Sequence, residues 1–480
     1  MTDWETVIGL EVHAQLLTRT KMFCRCSADY ADAAPNSRVC PICLGLPGAL
    51  PTINRAAVEL TVRTGLALGA RIAEISWFDR KNYFYPDLMK GYQISQYPAP
   101  LCSGGEVRFV VHGERRRIGV TRVHLEEDTA KHTDRNDHHG SYSLINANRS
   151  GVPLIEIVGE PELRSGEEAR EYLRTLRAIL RYIGACSGNM EEGAIRCDAN
   201  VSVRLRGTAN FGTKVEIKNM NSFRSVAAAL DFESRRQVGV LEGGGTITQE
   251  TRGWDDARGV TVSQRSKEYA HDYRYFPEPD LRPLRIPSDW LAAIRAQMPE
   301  LPEARAARYQ RSLGLTEYDA RLLADEREFA DLFDETVTRG ADPKQTANWI
   351  NGDVRRELGD RSLASTRLNA ERLQGTLSLL AAGDVNRAQA QTILAEVIVS
   401  GADPAEVATR RGLRQISDES ALAATIREVL ASHPRSVADF HSGKQQVMGF
   451  LVGQVMKATR GKANPTIVNR LLAEMLTTPG

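Results

Sequence analysis

Five strand-like segments in the first 220 residues constrain the fold more than any other feature of the sequence. In four of them apolar and polar side chains alternate, and the fifth places Glu156 inside an apolar run. The segments cover residues 6–16, 122–132, 151–161, 194–205 and 213–223. A period of two is typical of a β-strand with one buried face, so the segments predict a sheet with one apolar and one polar face.

Each of these segments carries a carboxylate, which suggests a shared chemical site. Their acidic and histidine side chains include Glu11, His13, Glu126, Glu127, Glu156, Asp198 and Glu216. If the polar faces converge, carboxylates with a histidine suit a hard divalent cation such as Mg²⁺ that holds the phosphates of a nucleotide. The alternative is that each carboxylate is solvent-exposed and the histidine is structural. The sequence has no phosphate-binding loop of the G-x-x-x-x-G-K-[ST] type, so ATP would be held differently.

The seven cysteines are unevenly distributed, because Cys24, Cys26, Cys40 and Cys43 form a C-x-C pair and a C-x-x-C pair within one short segment. Four thiolates suit a tetrahedral Zn²⁺, and a closed shell of four cysteines has no position for a catalytic water. The segment 24–43 is therefore predicted to be a structural zinc knuckle. The alternative is a set of four free or redox-active thiols.

The composition excludes a strongly basic chain and gives no sign of a membrane segment. The net charge is +1, so binding of nucleic acid would need a local basic patch. The N-terminal residues lack a secretory pattern, and the longest apolar stretches are too short to span a bilayer. We expect a cytoplasmic protein without membrane association.

The texture of the sequence changes near residue 285, from short alternating segments to helical spacing rich in Ala, Leu, Arg and Glu. The predicted domains are an α+β domain over residues 1–290, a helical domain over 291–405 and a helical tail over 406–480. Two helices are expected inside the first domain, over residues 164–184 and 221–237. Ser165 and Glu168 have the spacing of a capping box at the start of the first of these helices.

Longer motifs carry a resemblance to a known family. The segments "VIGLEVHAQL", "VCPICLGLPGALP", "RKNYFYPDLMKGYQISQY", "VHLEED", "MEEGAIRCDANVSVR", "EIKNMNSFRSV" and "HDYRYFPEPDLRPL" are similar to those of the B subunit of the aspartyl/glutamyl-tRNA amidotransferases. They occur in the order of that family between residues 6 and 284, and the C-terminal "GFLVGQVMKATRGKANP" resembles the tail of the same B subunit.

The resemblance implies a fold, an activity and partners. The fold would be α+β, with an antiparallel sheet in a cradle domain, a helical domain and a small helical tail. The activity would be ATP- and Mg²⁺-dependent phosphorylation of Glu or Asp attached to tRNA(Gln) or tRNA(Asn), followed by amidation with ammonia. An amidase, the A subunit of that family, would release the ammonia from glutamine, and a small C subunit would complete a heterotrimer.

The resemblance also assigns expected roles to residues. The expected catalytic and metal-binding group is Glu11, His13, Glu126 and Glu127, with Glu156, Glu191, Asp198 and Glu216 as further magnesium candidates. Asn148 and Arg149 are expected near phosphate or the 3′ end of the tRNA. Lys81, Tyr83, Tyr85 and Lys90 are expected near the site or the ammonia path, and the alternative for these four is an ordinary loop role.

The C-terminal tail is the predicted contact for tRNA. Residues 441–473 contain basic side chains and no acidic one. The basic residues are Lys444, Lys457, Arg460, Lys462 and Arg470. Such a surface can contact phosphates without selecting sequence, whereas the alternative is a solvated basic helix end.

Two other functions compete with the amidotransferase hypothesis. A zinc-stapled scaffold could bind tRNA without catalysis, and such a protein would not need the carboxylates. A self-sufficient glutamine amidotransferase is disfavoured, because the sequence has neither an amidase Ser-Lys signature nor an evident Cys–His pair beyond the clustered cysteines. The ammonia must therefore come from a partner.

Overall fold

The computed structural model describes residues 3–138, 140–266, 273–415, 418–459 and 461–477. The chain forms two compact units, Met1–Leu301 and Pro302–Gly480. The described strands lie in the first unit, and the described elements of the second unit are helices. The α+β class is therefore confirmed, whereas the three-domain division with boundaries near residues 290 and 405 stays a prediction.

The first unit combines short and long strands with a few helices. Its strands are β1 (Trp4–Gln15), β2 (Arg71–Ile72), β3 (Ile75–Ser76), β4 (Asp79–Asn82), β5 (Tyr92–Ser95), β6 (Cys102–Ser103), β7 (Glu106–Val111), β8 (Glu114–Glu127), β9 (Lys131–Asp137), β10 (Gly140–Asn146), β11 (Pro153–Gly159), β12 (Ile195–Leu205), β13 (Val215–Lys218), β14 (Glu250–Asp255), β15 (Val260–Ser266), β16 (Phe276–Pro277) and β17 (Leu284–Arg285). Its helices are α1 (Arg55–Ala67), α2 (Gly166–Tyr182), α3 (Phe223–Glu242) and α4 (Ser288–Ala296).

The second unit is a succession of shorter helices. They are α5 (Pro302–Leu313), α6 (Glu317–Ala324), α7 (Arg327–Thr338), α8 (Pro343–Asn348), α9 (Arg355–Leu358), α10 (Ala370–Ala381), α11 (Arg387–Ser400), α12 (Pro404–Arg410), α13 (Glu419–Ser432), α14 (Pro434–His441), α15 (Val447–Ala458) and α16 (Pro465–Thr477). A π-helical turn spans Trp349–Val354 and a 3-10 turn spans Leu363–Ser365.

The main sheet has the strand order β15-β14-β13-β12-β1-β11-β8-β6-β2, and β7 pairs with the outer part of β8. Neighbouring strands are antiparallel except for β13 and β14, which run parallel. This exception follows from the connection between them, because α3 lies between these two strands in the chain and provides the crossover that a parallel pair requires. The predicted antiparallel sheet is thus correct apart from this pair.

The five strand-like segments of the sequence become β13, β12, β1, β11 and β8, which are consecutive neighbours in this sheet. Their apolar side chains, such as Leu10, Val12 and Ile157, are buried in one core together with apolar side chains of α2 and α3. Because alternate side chains of a strand point to opposite faces, the polar side chains of all five strands share the other face.

The helix predicted over residues 164–184 is confirmed as α2, and its capping differs in one detail from the expected box. The Ser165 side chain accepts a hydrogen bond from Glu168 N (3.2 Å), as expected. The Glu168 carboxylate, however, accepts from Arg164 N (2.8 Å) and not from Ser165 N. The helix predicted over residues 221–237 is α3, which begins after the N-cap Ser222 and extends to Glu242.

The buried apolar side chains of the second unit fall into two clusters. One cluster extends from Ala306 to Ala408 and includes the fully buried Trp349. The other extends from Leu422 to Leu476 within α13–α16. Across the described parts of both units, none of the helices combines the length and the apolar character needed to cross a membrane.

Candidate functional site

The polar face of the sheet carries a row of ionisable side chains aligned by strand register. On β1, His13 lies opposite Glu156 of β11 on one side and Arg196 of β12 on the other. Glu156 in turn lies opposite His124 of β8. One step along β1, Glu11 lies opposite Asp198 of β12. The register therefore brings together carboxylates that are up to 187 positions apart in the chain, as from Glu11 to Asp198.

His13, Glu126 and Glu156 form the centre of this row. The distance from His13 Nε2 to Glu156 Oε2 is 3.2 Å, and that from His13 Nε2 to Glu126 Oε1 is 3.7 Å. One ligand atom of each of the three side chains lies within 4.8 Å of the other two, an arrangement that could hold a metal ion. An imidazole and two carboxylates provide a donor set that accepts a divalent cation.

The ionisation of these groups reflects their crowding. Burial opposes the charged form of His13, but its hydrogen bond to Glu156 and the charge of Glu126 raise the pKa to about 9. Burial also opposes ionisation of Glu156, yet the neighbouring His124, His13 and Lys81 lower the pKa of this carboxyl far below its usual range. The cluster therefore favours a positive charge between its carboxylates.

The other acidic part of the row is partly neutralised by a lysine. Lys218 Nζ lies 2.5 Å from Asp198 Oδ2 and 3.2 Å from Glu216 Oε1. Asn200 donates a hydrogen bond to Glu11 Oε1 (3.0 Å). Burial, together with the charges of Glu156, Asp198 and Glu216, raises the pKa of Glu11. This part of the face thus holds three carboxylates beside one ammonium group.

Glu127 lies apart from the central cluster, although the sequence grouped it with Glu126. Consecutive residues of a strand point to opposite faces, so the two carboxylates of β8 diverge. Glu127 pairs with Lys90 and accepts a hydrogen bond from Ile94 N (3.1 Å). It lines a cavity that also touches Cys24 and Cys43 of the cysteine segment. Glu127 is therefore placed to act on the contents of this cavity and not on the same ion as His13.

Among the further magnesium candidates, Glu191 is the one that the structure separates from the sheet row. It is exposed in the turn that precedes β12, where its backbone N–H donates to Asn189 Oδ1 (3.1 Å). The strand begins only at Ile195, so the side chain of Glu191 does not belong to the aligned face.

Asn148 and Arg149 brace neighbouring loops. Asn148 is buried, donates to Ala34 O (2.8 Å) and accepts from Arg38 N (2.8 Å), which ties it to the loop inside the cysteine segment. Arg149 donates to the carbonyl oxygens of Thr129 (2.9 Å) and Ala130 (2.9 Å). These hydrogen bonds indicate a positioning role in the chain, and contact of either residue with phosphate or tRNA stays a prediction.

The loop residues expected near the site lie at its edge. Lys81 Nζ is 4.9 Å from the centroid of the Tyr273 ring, and its charge contributes to the lowered pKa of Glu156. The Tyr83 hydroxyl lies 3.4 Å from Gln93 Oε1, and its ring meets the half-exposed ring of Tyr85 edge to face. Lys90, as described, pairs with Glu127. Three of the four candidates therefore contact side chains around the acidic clusters, and Tyr85 contacts them through Tyr83.

The four clustered cysteines converge on one point. One thiol sulfur from each of Cys24, Cys26, Cys40 and Cys43 lies within 4.8 Å of the other three. Hydrogen bonding from Cys24, outweighing burial, together with the neighbouring Cys40 and the Lys21 charge, lowers the pKa of Cys43 to about 4. Four sulfurs at this spacing, one of them a stabilised thiolate, fit a tetrahedral zinc site.

The basic side chains of the tail are partly paired within the chain. Lys444 forms an ion pair with Asp439 (2.8 Å), and Arg470 pairs with Glu419 and with Glu474 (3.0 Å). These acidic partners lie just outside the segment that the sequence analysis counted. Lys457 lies in the last turn of α15 and Lys462 follows that helix, whereas Arg460 lies outside the described residues.

Several side chains of the site were not among the predicted residues. His124 Nε2 lies 3.8 Å from both Glu126 and Glu156, and Arg122 lies 3.6 Å from Glu156. Ser95 donates to Glu126 Oε2 (3.3 Å) from a separate strand. The alternation of β8 contained a signal for His124 and Arg122, because both share the parity of Glu126. The sequence has no corresponding signal for Ser95, which depends on the packing of β5 beside β8.

Comparison with known proteins covers most of the chain. A family model described as the GatB/GatE catalytic domain matches residues 6–292, and one described as the GatB domain matches residues 331–476. Proteins from Thermomicrobium roseum and Dehalococcoides mccartyi are 53% and 52% identical to the chain over 480 and 489 residues, with 99% of each chain covered. A protein from Moorella thermoacetica is 52% identical over 476 residues. Each of the three is named as the B subunit of an aspartyl/glutamyl-tRNA(Asn/Gln) amidotransferase.

Proposed function

The chain belongs to the family of aspartyl/glutamyl-tRNA(Asn/Gln) amidotransferase B subunits, and we propose that it performs the ATP-dependent part of the reaction. It would phosphorylate the side-chain carboxylate of Glu or Asp attached to misacylated tRNA(Gln) or tRNA(Asn), and then exchange the phosphate for ammonia. The observation that carries this proposal is the cluster of His13, Glu126 and Glu156 on the polar face of the sheet.

The chemistry requires an activated carboxylate, because a carboxylate ion resists attack by ammonia. In the proposed first step, a carboxylate oxygen of the attached amino acid attacks the γ-phosphorus of ATP, and ADP leaves. In the second step, ammonia attacks the carbonyl carbon of the acyl phosphate, and inorganic phosphate leaves with the proton balance completed by solvent. The net products are the amidated tRNA, ADP and phosphate.

The residues of the sheet face suit the first step. Mg²⁺ held by His13, Glu126 and Glu156 would neutralise the charge on the transferring phosphoryl group. Lys81 and Arg122 are the cations beside Glu156, and both would attract the phosphates of ATP. The absence of a phosphate-binding loop in the sequence agrees with a site built from strand side chains.

The source of ammonia is assigned to a partner. The sequence has no glutaminase signature, and the printed name of the relatives denotes one subunit of several. An amidase (the A subunit) and a small C subunit would therefore complete a heterotrimer with this chain. Glu127, Lys90 and the adjoining cavity lie beside the acidic face and would receive the nucleophile.

Two further parts of the chain have proposed supporting roles. The four cysteines would bind a structural Zn²⁺ that holds residues 24–43 in place beside the cavity. The basic side chains of the tail, Lys457 and Lys462 among them, would contact the tRNA backbone. Ion pairing of Lys444 and Arg470 within the chain reduces the charge that these two can offer.

The proposal is tested by conversion of Glu-tRNA(Gln) to Gln-tRNA(Gln) with the purified chain, Mg²⁺-ATP and ammonium chloride. Ammonium replaces the glutaminase partner, so the assay reports on the chemistry of this chain. We expect product formation, with a loss of about 100-fold or more in Glu126→Gln. Glu114→Gln is the matched control, because Glu114 is an exposed carboxylate of the same strand.

Two outcomes would contradict the proposal. A wild-type chain that binds tRNA but forms no product, even after addition of the partner subunits, would favour the non-catalytic scaffold. Unchanged activity in Glu126→Gln would do the same, since a scaffold does not need the carboxylate. Restoration of activity by the partners alone would mean that the site requires assembly.

A further inference from the structure

A row of five tyrosines borders the acidic sheet face, and none of the steps described above uses its exposed end. The row consists of Tyr85, Tyr83, Tyr273, Tyr275 and Tyr97, in spatial order. Consecutive ring centroids are 6.2, 5.8, 6.1 and 4.6 Å apart. The first three contacts are edge to face, whereas Tyr97 and Tyr275 stack with an angle of 10° between their planes.

The backbone that displays this row is held in an unfavourable conformation. Arg274, between two of the tyrosines, has a φ of +44°, which side chains other than glycine rarely adopt. Asn82 maintains it, since its N–H donates to Tyr273 O (3.0 Å) and its side-chain amide donates to Arg274 O (2.8 Å). Backbone strain that the surroundings enforce is concentrated at functional sites, which favours a functional role for the row.

The end of the row formed by Tyr97 is open to solvent. Tyr97 is 53% exposed although one of its faces is covered by Tyr275. A large aromatic ring that remains exposed after stacking on a neighbour has a free π-surface for a flat ligand. Planar aromatic ligands, nucleobases above all, bind proteins by stacking on such rings.

The open ring is next to the candidate metal cluster. The Arg122 guanidinium lies 5.7 Å from the centroid of Tyr97 and 3.6 Å from Glu156 Oε1. Burial, with contributions from the charges of Glu126 and Glu156, raises the pKa of Tyr275, which shows that these carboxylates lie within electrostatic reach of the row. One ligand could therefore place a base on Tyr97 and a phosphate or ester group at the acidic face.

We propose that Tyr97, supported by Tyr275, is a stacking platform for an adenine base. This inference rests on the proposed function, because both substrates of that reaction carry adenine beside the reacting groups. One source is ATP itself, and the other is the 3′-terminal adenosine of the aminoacylated tRNA. The two sources share the ligand chemistry and differ in which substrate loses affinity when the ring is removed.

The test compares Tyr97→Leu, which removes the ring, with Tyr97→Phe, which retains it. KM for ATP and KM for Glu-tRNA(Gln) are measured separately in the ammonium-dependent assay, each with the other substrate saturating. We expect Tyr97→Leu to raise one of the two KM values about tenfold or more, with Tyr97→Phe near wild type. Tyr318→Leu is the matched control, because Tyr318 is 74% exposed and lies in the second unit.

Which KM rises identifies the source of the adenine. A higher KM for ATP assigns the platform to the nucleotide, and a higher KM for tRNA assigns it to the 3′-adenosine. The inference is overturned if both values stay within about twofold of wild type, or if Tyr97→Phe is as impaired as Tyr97→Leu. The second result would assign the effect to the hydroxyl group and not to the ring.

Direct binding separates failure of this inference from failure of the proposed function. Binding of ADP with Mg²⁺ is measured by equilibrium dialysis, and stacking of the tRNA end by the fluorescence of 2-aminopurine at the 3′ terminus. Neither readout requires turnover. Weaker ADP binding or lost 2-aminopurine quenching in Tyr97→Leu supports the platform even in an inactive preparation. Unchanged values in both overturn it even if the wild type is active.

Discussion

The cysteine knuckle and the acidic sheet cluster both satisfy the geometry of a metal site, and they are assembled in different ways. The knuckle takes its four thiols from the segment 24–43, outside any strand or helix. The sheet cluster takes one ligand from each of three neighbouring strands, at His13, Glu126 and Glu156. The knuckle therefore depends on a short loop, and the sheet cluster depends on correct pairing of distant strands.

This difference separates stability from chemistry. A closed set of four thiolates has no free coordination position, so a zinc ion there holds the loop and its neighbours. The sheet cluster contains oxygen ligands that suit a more exchangeable ion, and it is surrounded by Arg122 and Lys81. Damage to the knuckle should therefore reduce stability first, whereas damage to the cluster should reduce activity first.

The largest expected effect is on activity, in Glu156→Gln. The substitution removes the charge that His13 and Arg122 face, so we expect kcat to fall about 100-fold or more. The zinc content should remain that of the wild type. The ammonium-dependent assay and metal analysis by mass spectrometry measure both, with Glu192→Gln as an exposed control. Activity within about threefold of wild type would break the assignment of chemistry to the sheet cluster.

The next effect concerns stability, in the double variant Cys40→Ser/Cys43→Ser. Loss of two ligands should abolish zinc binding and lower the thermal midpoint by about 5 °C or more, because zinc binding contributes to folding. Mg²⁺ binding at the sheet should weaken much less. Differential scanning fluorimetry with and without a zinc chelator provides the measurement. If the wild type purified with adequate zinc contains none, the structural zinc hypothesis is wrong.

A smaller effect is expected from Lys21→Met, which tests the electrostatics of the knuckle. Lys21 is fully buried, and its ammonium lies 3.6 Å from Cys43 Sγ and 3.4 Å from Ala147 O. Removal of this charge should accelerate zinc release to a chromogenic chelator by about tenfold, because the thiolates lose a stabilising cation. The exposed Lys214→Met is the control. Equal release rates would show that Lys21 serves only packing.

The smallest expected effect is a pH dependence of the sheet cluster. The folded-state pKa of His13 is raised from 6.5 to about 9. Its contribution to stability is therefore fully present below pH 6.5 and is lost as the pH rises through about 9. We expect the thermal midpoint of the metal-free chain to fall by a few degrees over this range.

Saturating Mg²⁺ sharpens the pH experiment. A cation bound by His13 takes the place of the proton, so the slope of the midpoint against pH should shrink when Mg²⁺ is present. His13→Gln should show no slope between pH 6.5 and 9 with or without the ion. A slope that persists in His13→Gln would assign the titration to another group.

Much of the fold could be predicted from local patterns. The alternation around Glu11 and His13 indicated a strand, and the spacing of Ser165 and Glu168 indicated where α2 begins. The cysteine spacing indicated the knuckle. Each of these patterns is contained in fewer than about 25 residues, where backbone periodicity and chain connectivity decide which side chains can meet.

The details of the site could not be predicted in this way. The divergence of Glu126 and Glu127 follows from strand parity, but their different partners follow from packing of β5 and Lys90 against β8. The ion pairs of Lys444 and Arg470 depend on acidic residues outside the basic segment. The tyrosine row joins residues 83–97 to residues 273–275, and no local pattern connects these segments.

By itself, the sequence determined the family, the α+β class, the alternating strands and the cysteine knuckle. Only the tertiary structure decided that β1 lies between β11 and β12, so that His13 meets Glu156 and Glu11 meets Asp198. The physical reason is that side-chain alternation is a property of each strand alone. Strand order and register depend on the burial of the whole apolar face, to which all parts of the first unit contribute.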